Sequence, residues 1–162
     1  MARCSDSAVV LLSIHPRFVL SILAGRKKVE FRRTGFRRTV EFAVVYATSP
    51  ISKVVGYLKI GSVIEGTPSS LWRRFGQVGG ISRAGFREYY AGRETGIALE
   101  ISQVRALREA IPLRGINRTG RGPQSFEYLS PKQFERVCEA RRKQRAIRKR
   151  GPLRGKRTPN PR

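Results

Sequence analysis

Gly25-Arg26-Lys27-Lys28-Val29-Glu30-Phe31-Arg32 is the stretch on which the reading of this chain turns. Upstream, Pro16 suits the first turn of a helix, and Phe18, Val19, Ile22 and Leu23 recur at helical spacing. Gly25 is then placed to stop that helix. Downstream the pattern alternates, which predicts a strand over Val29 to Arg32. Val29 and Phe31 take one face and bury; Glu30 and Arg32, two apart, share the other. Lys27 sits in the turn. The connection therefore gathers a cation, a carboxylate and a second cation around one mouth. A neighbouring cation keeps a carboxylate ionised, and an arginine can hold a phosphate bidentately.

Working outward, Val9 to Ile14 is a short apolar run with polar flanks, a buried strand. Thr39 to Ala47 and Lys53 to Val63 read as two more, the second long enough to bend at Gly56 or Gly61. Thr67 caps a helix from Pro68 through Phe75, and a further helix covers Ser82 to Tyr90. Gly96 to Ile101 and Val104 to Ile111 are expected as two separate strands, with Gln124 to Leu129 closing the sheet. Ser130-Pro131-Lys132-Gln133 is a capping box that opens a last helix bearing Phe134, Val137 and Cys138 on one face. Strands and helices do not alternate strictly, so a doubly wound parallel sheet is not expected. The class is α+β: a small, mostly antiparallel β-barrel with short helices covering its ends. Residues 1–8 form a leader, 9–130 the domain, 131–150 a C-terminal basic helix and 151–162 a basic disordered tail.

The 162 residues carry 34 Lys and Arg against 11 Asp and Glu, a formal charge of +23. The excess is split: residues 1–140 hold +12 and residues 141–162 another +11. Such a balance excludes an acidic surface and calls for a polyanionic partner, nucleic acid before membrane. The tail has almost nothing to bury, and it suits an arm that condenses on phosphates. Cys4 and Cys138 make no CxxC pair, and with His15 as the one histidine there is no zinc set. Neither a metal nor a cofactor is expected. The cysteine usage fits a reducing cytoplasm. Asp6, His15, Pro16 and Arg17 break up the early apolar run, so it is not a signal peptide, and no apolar stretch approaches the ~20 residues of a membrane span.

Gly25-x-Lys27-x-x-Glu30-x-Arg32 resembles the G-x-K-x-x-E-x-R signature of the ASCH domain, a PUA-like β-barrel family. Other pieces agree in order. Leu11 to Pro16 with Ile22 to Gly25 is similar to the family's first strand and helix. Tyr46-Ala47-Thr48-Ser49-Pro50 before Val54-Val55-Gly56 is similar to its "YASSP…VVG" stretch. Phe86-x-x-Tyr89-Tyr90 before Gly96 to Ile101, and Pro123-Gln124-Ser125-Phe126, resemble its late elements. The likeness covers roughly residues 9–130. It implies a barrel with an RNA-binding cleft beside the signature. Some members are hydrolases: small bacterial ones deacetylate N4-acetylcytidine with a Lys, a Thr and a distant Glu, and others are linked to RNA cleavage. Lys27 matches that Lys, Glu30 stands where the Thr would be, and Trp72 to Ser82 contains no carboxylate to match the distant Glu.

The candidate catalytic residues are Lys27 and Glu30, the latter as a general base toward a 2′-OH with Lys27 or Arg32 as the cation at phosphate. His15 is the one side chain with an unperturbed pKa near neutrality. The candidate nucleic-acid contacts are Arg26, Lys27, Lys28, Arg32, Tyr46, Ser49, Lys53, Arg73, Arg74, Arg141 and Arg142. Tyr46 and Trp72 are either base-stacking or core, and Arg37 and Arg38 form one more basic pair. The leading function is RNA binding through the cleft and the basic C-terminal arm. The alternative is a hydrolase acting on RNA or a modified nucleobase. A DNA-associated regulator, or an accessory protein that binds anionic partners through the tail alone, is a third reading.

Overall fold

The computed structural model describes residues 7–150, with side chains through Arg148. The expected tail, 151–162, and most of the expected leader lie outside that range. β1 (Ala8–Ile14) buries five of its seven residues, and its neighbours are β3 (Val40–Ala47), in parallel, and β6 (Phe126–Leu129), antiparallel. β3 pairs antiparallel with β4 (Lys53–Gly66), β4 with β5 (Gly96–Ile111), and β5 with β2 (Val29–Arg32). The hydrogen-bonded order is β2-β5-β4-β3-β1-β6, a six-stranded, mostly antiparallel sheet.

Two expectations are corrected. The sheet is open rather than a closed barrel: β2 and β6, four residues each, are its edges and share no ladder. Arg32, on one edge, instead reaches across the gap to the ends of β1 and β6. Phe36, beyond β2, also packs edge-on against Phe126 with ring centres 4.8 Å apart. The second correction concerns residues 96–111, which form one continuous strand. The polar Ser102-Gln103 step mimics a turn, yet this half of β5 is a mostly exposed ribbon whose only sheet partner is β4, so polar residues cost little there. Register slips at Val54/Gly56 and across Ile60/Val63 bend the ribbon near both glycines.

Four helices cover the sheet. α1 (Pro16–Leu23) packs Val19 and Ile22 on the core of β1 and β3. α2 (Pro68–Phe75) and α3 (Arg83–Tyr89) enclose an aromatic cluster with β2, in which Phe31 meets Phe86 edge-on at 4.9 Å. α4 (Pro131–Arg150) opens with the reciprocal cap: Ser130 N donates to Gln133 Oε1 (2.7 Å) and Gln133 N to Ser130 Oγ (3.3 Å). Val137 is fully buried, and about two turns on Gln144 docks the helix by bonding the Arg108 and Glu109 backbone. Among the described residues no helix is long and apolar enough to cross a membrane.

Candidate functional site

The signature folds as its spacing predicts, up to Lys27. α1 ends at Ala24, and Gly25 takes φ +72°, a left-handed turn that a side chain would strain. The Arg26 and Lys27 amides both donate back to Ser21 O at 3.0 Å, which swings the chain toward β2. Lys27 then points inward. The 76–81 segment closes over it, and that closure requires glycine: a Cβ on Gly79 would lie 2.3 Å from the Phe31 ring, and one on Gly80 2.9 Å from Lys27 Cβ. Lys27 Nζ donates to Gly79 O at 2.6 Å and lies 5.1 and 5.3 Å from the ring centres of Phe18 and Phe31.

Glu30 and Arg32 share a face of β2, and that face is covered rather than open. Lys27 is 3% exposed and Glu30 5%. Lys27 Nζ lies 3.2 Å from Glu30 Oε2, off the hydrogen-bonding direction, so Oε2 is buried with an ion-pair partner but without a hydrogen bond. Glu30 Oε1 faces Arg32 Nη1 at 3.6 Å. The guanidinium is occupied by protein oxygens: Nη1 donates to Ser13 O (3.2 Å), and Nη2 to Ser125 O (3.0 Å) and Ser125 Oγ (2.7 Å). The three charges alternate in sign, which is what permits two of them to be buried.

These groups line a cavity of about 180 Å³ with Ser13, His15, Phe18, Phe31, Ile81 and Tyr89. His15 caps α1, its Nδ1 accepting from Arg17 N at 3.3 Å. Two tyrosines of the α3 end hold β2 from behind. Tyr89 OH bonds Phe31 O (3.3 Å), and Tyr90 OH lies 2.9 Å from Arg32 O and 3.2 Å from Ile97 O. Burial pushes both phenols up from their ordinary value, Tyr90 the more strongly.

The other candidates are dispersed. Arg26 and Lys28 are exposed on the turn beside the cavity. Tyr46 is half-buried on β3, its ring against the Gly122 backbone, and packs with the Leu11–Val44 cluster. Ser49 and Lys53 are exposed around the β3–β4 turn. Arg73 and Arg74 end α2, Arg74 lying over the Phe75 ring. Arg37 and Arg38 are exposed beyond β2, their amides bonding the Tyr128 hydroxyl. Arg141 Nε bonds Ala106 O, and Arg142 pairs with Glu135. Trp72 is half-buried, tilted on Phe86 at 5.0 Å. Residues missed by sequence reasoning are Gly79, whose carbonyl anchors Lys27, and Ser13 and Ser125, which hold Arg32. Both serines carried a signal, Ser13 inside the Leu11-to-Pro16 stretch and Ser125 inside the Pro123-to-Phe126 motif, whereas Gly79 carried none. Among the described residues no three metal-ligating side chains converge.

No protein-family model matches the chain. An ASCH domain-containing ribonuclease of Zymomonas mobilis is 27% identical over 146 residues, covering 85% of this chain and 95% of that protein. The crystal structure of ASCH from Zymomonas mobilis superposes with a TM-score of 0.75 at 26% identity, over 81% of this chain and 94% of that one. A serine-to-alanine form of the same protein superposes at 0.76, with 26% identity, over 83% and 97%. A tyrosine-to-phenylalanine form gives 0.75 and 26% over 81% and 96%. A large ribosomal subunit protein uL22 of Ureaplasma parvum is 36% identical over 103 residues, 64% of this chain but 33% of that protein.

Proposed function

The chain is an ASCH-domain protein, and from that premise we propose that it binds single-stranded RNA, with one nucleotide base seated in the cavity beside the signature. One observation carries this reading: Glu30, whose Oε2 is buried and without a hydrogen bond, lines the same small cavity as Lys27 and Arg32. A buried polar atom left unsatisfied costs about 1–3 kcal/mol, and an arriving donor recovers it. A base has what the cavity lacks. Its flat faces suit Phe18, Phe31 and Tyr89, and its edge offers N–H groups to a carboxylate and lone pairs to an ammonium. Arg26 and Lys28, exposed on the adjoining turn, serve the phosphates, as does the charge of the body.

The test is titration of a labelled single-stranded RNA 12-mer at rising salt. Affinity should fall with log salt at a slope of about −0.7 per phosphate neutralised. A Lys27→Met/Glu30→Leu variant replaces the buried pair with apolar groups of similar size, an exchange such pairs often tolerate. It should fold and bind about tenfold more weakly, ~1.4 kcal/mol. If it folds and binds as tightly as wild type, the base pocket is wrong.

A second reading, cleavage of the bound RNA, is favoured by the likeness to a ribonuclease over nearly all of that protein's length. Glu30 would take the 2′-OH proton, O2′ would attack phosphorus, and the P–O5′ bond would break to leave a 2′,3′-cyclic phosphate. O5′ would gain its proton from a donor lining the same cavity, Lys27 or His15. The solved variants of the relative change a serine and a tyrosine. In this chain the Ser125 hydroxyl bonds Arg32 beside the cavity, so it joins the residues to test. Cyclic phosphate formed by wild type and absent with Glu30→Gln supports cleavage. Equal background in both removes it and leaves binding.

A further inference from the structure

A cavity of about 590 Å³ lies apart from the one beside the signature and is the larger of the two. It lies between α2 and α3, and its charged lining is Arg73, Arg83, Arg87, Arg93 and Glu94, beside Trp72. All four arginines are exposed. Among the described residues none of the four side chains has a hydrogen bond, an ion pair or a ring contact, and Glu94 pairs with none of them.

That arrangement does nothing for the fold. Arg83 and Arg87 are four apart on α3, a like-charge spacing that opposes the helix. Four guanidinium groups around one concavity repel each other, and a cleft with low-dielectric walls focuses their potential. The free N–H groups of the guanidinium forks match phosphate oxygens. Trp72 adds a flat aromatic surface among them, which selects a ligand carrying both phosphates and rings. The volume suits a nucleotide rather than an isolated anion.

We infer that the α2–α3 cleft is a second RNA subsite, which takes the phosphates and a stacked base of the strand flanking the nucleotide in the signature cavity. The inference rests on the RNA reading above. It deepens that reading through α3, the wall common to both cavities. Phe86, Arg87 and Tyr90 of this segment line the arginine cleft, while Tyr89 lines the signature cavity. A strand that leaves the signature cavity over α3 enters the cleft. A wholly apolar ligand does not fit, since four arginines stand in the lining.

The chain has one tryptophan, so its emission reports on this cleft alone. The full chain is titrated with unlabelled and fluorescein-labelled single-stranded RNA 12-mer, following Trp72 emission and anisotropy. The expected result is saturable quenching of Trp72 in parallel with binding. Arg73→Gln/Arg87→Gln should weaken binding about tenfold and reduce the salt slope by about 1.4, the loss of two phosphate contacts. Arg105→Gln/Arg108→Gln, on the ribbon of β5, removes equal charge elsewhere and should have a clearly smaller effect. Three results each overturn the assignment while RNA binding stands: binding with unchanged Trp72 emission, full affinity in the Arg73/Arg87 variant, or equal losses in the two variants. Absence of 12-mer binding by wild type overturns the RNA reading itself.

Discussion

The signature cavity and the α2–α3 cleft lie on either side of α3, and both are rich in basic side chains, but they are assembled on opposite rules. In the first, Lys27, Glu30 and Arg32 alternate in charge, two of the three are almost wholly buried, and both cations are bonded to main-chain oxygens. In the second, four guanidinium groups stand exposed with no partner among the described residues. Charge that is compensated inside the molecule fixes geometry: it joins the loop at Gly79, the strand β2 and the end of β1. Charge left uncompensated in a concavity raises the local potential and contributes nothing to folding. Net charge alone would have ranked the two sites the same.

That contrast can be broken by stability measurements. The largest effect is expected from Glu30→Ala, which strands Lys27 in the interior. Removing one member of a buried pair costs about 3–5 kcal/mol, read as a fall in the urea midpoint. Arg32→Ala comes next. It forfeits charged hydrogen bonds to Ser13 and Ser125 and should cost about 2–3 kcal/mol, with faster amide exchange in β6. A variant of either kind as stable as wild type would undo the structural role given to the triad.

Alkaline titration sharpens the same point. Burial holds the Tyr90 phenol protonated above its ordinary value of 10.0. As pH rises past that value the unfolded chain gives up the proton first. The stability tied to this group is therefore complete below pH 10 and declines above it, by about 1.4 kcal/mol per pH unit. Tyr90→Phe should flatten that decline, and an unchanged slope would show that the hydroxyl is not held as described. The smallest effect is expected on the other side of α3. Arg73→Gln/Arg87→Gln should shift stability by no more than about 0.5 kcal/mol, and upward if at all, since it relieves repulsion.

Local chemistry was legible in the sequence and non-local chemistry was not. The stop at Gly25, the caps at Thr67 and Ser130 and the shared face of Glu30 and Arg32 each depend on residues within a turn or two. The burial of that face depends on segments 52 and 93 residues away, at Gly79 and Ser125, and the acceptors they offer are mostly carbonyls. A carbonyl belongs to every residue, so no residue type marks it. The continuity of β5 was hidden for the opposite reason: its polar residues follow solvent exposure rather than a change in backbone path. The arginine cleft was half visible. Arg73 and Trp72 stood out as candidates, while Arg83, Arg87 and Arg93 carry no motif and meet in one hollow only when α3 and the turn after it fold beside α2.

Where most curled sheets meet themselves through a row of amides, this one is fastened by side chains: the Arg32 guanidinium, the Phe36–Phe126 contact and the Tyr128 hydroxyl. Parting two paired strands means losing a whole rank of backbone bonds together. Here β2 itself is tied to the β1–β6 corner by three side-chain bonds from one arginine, so this seam is a clasp of a few point contacts whose loss leaves every strand ladder whole.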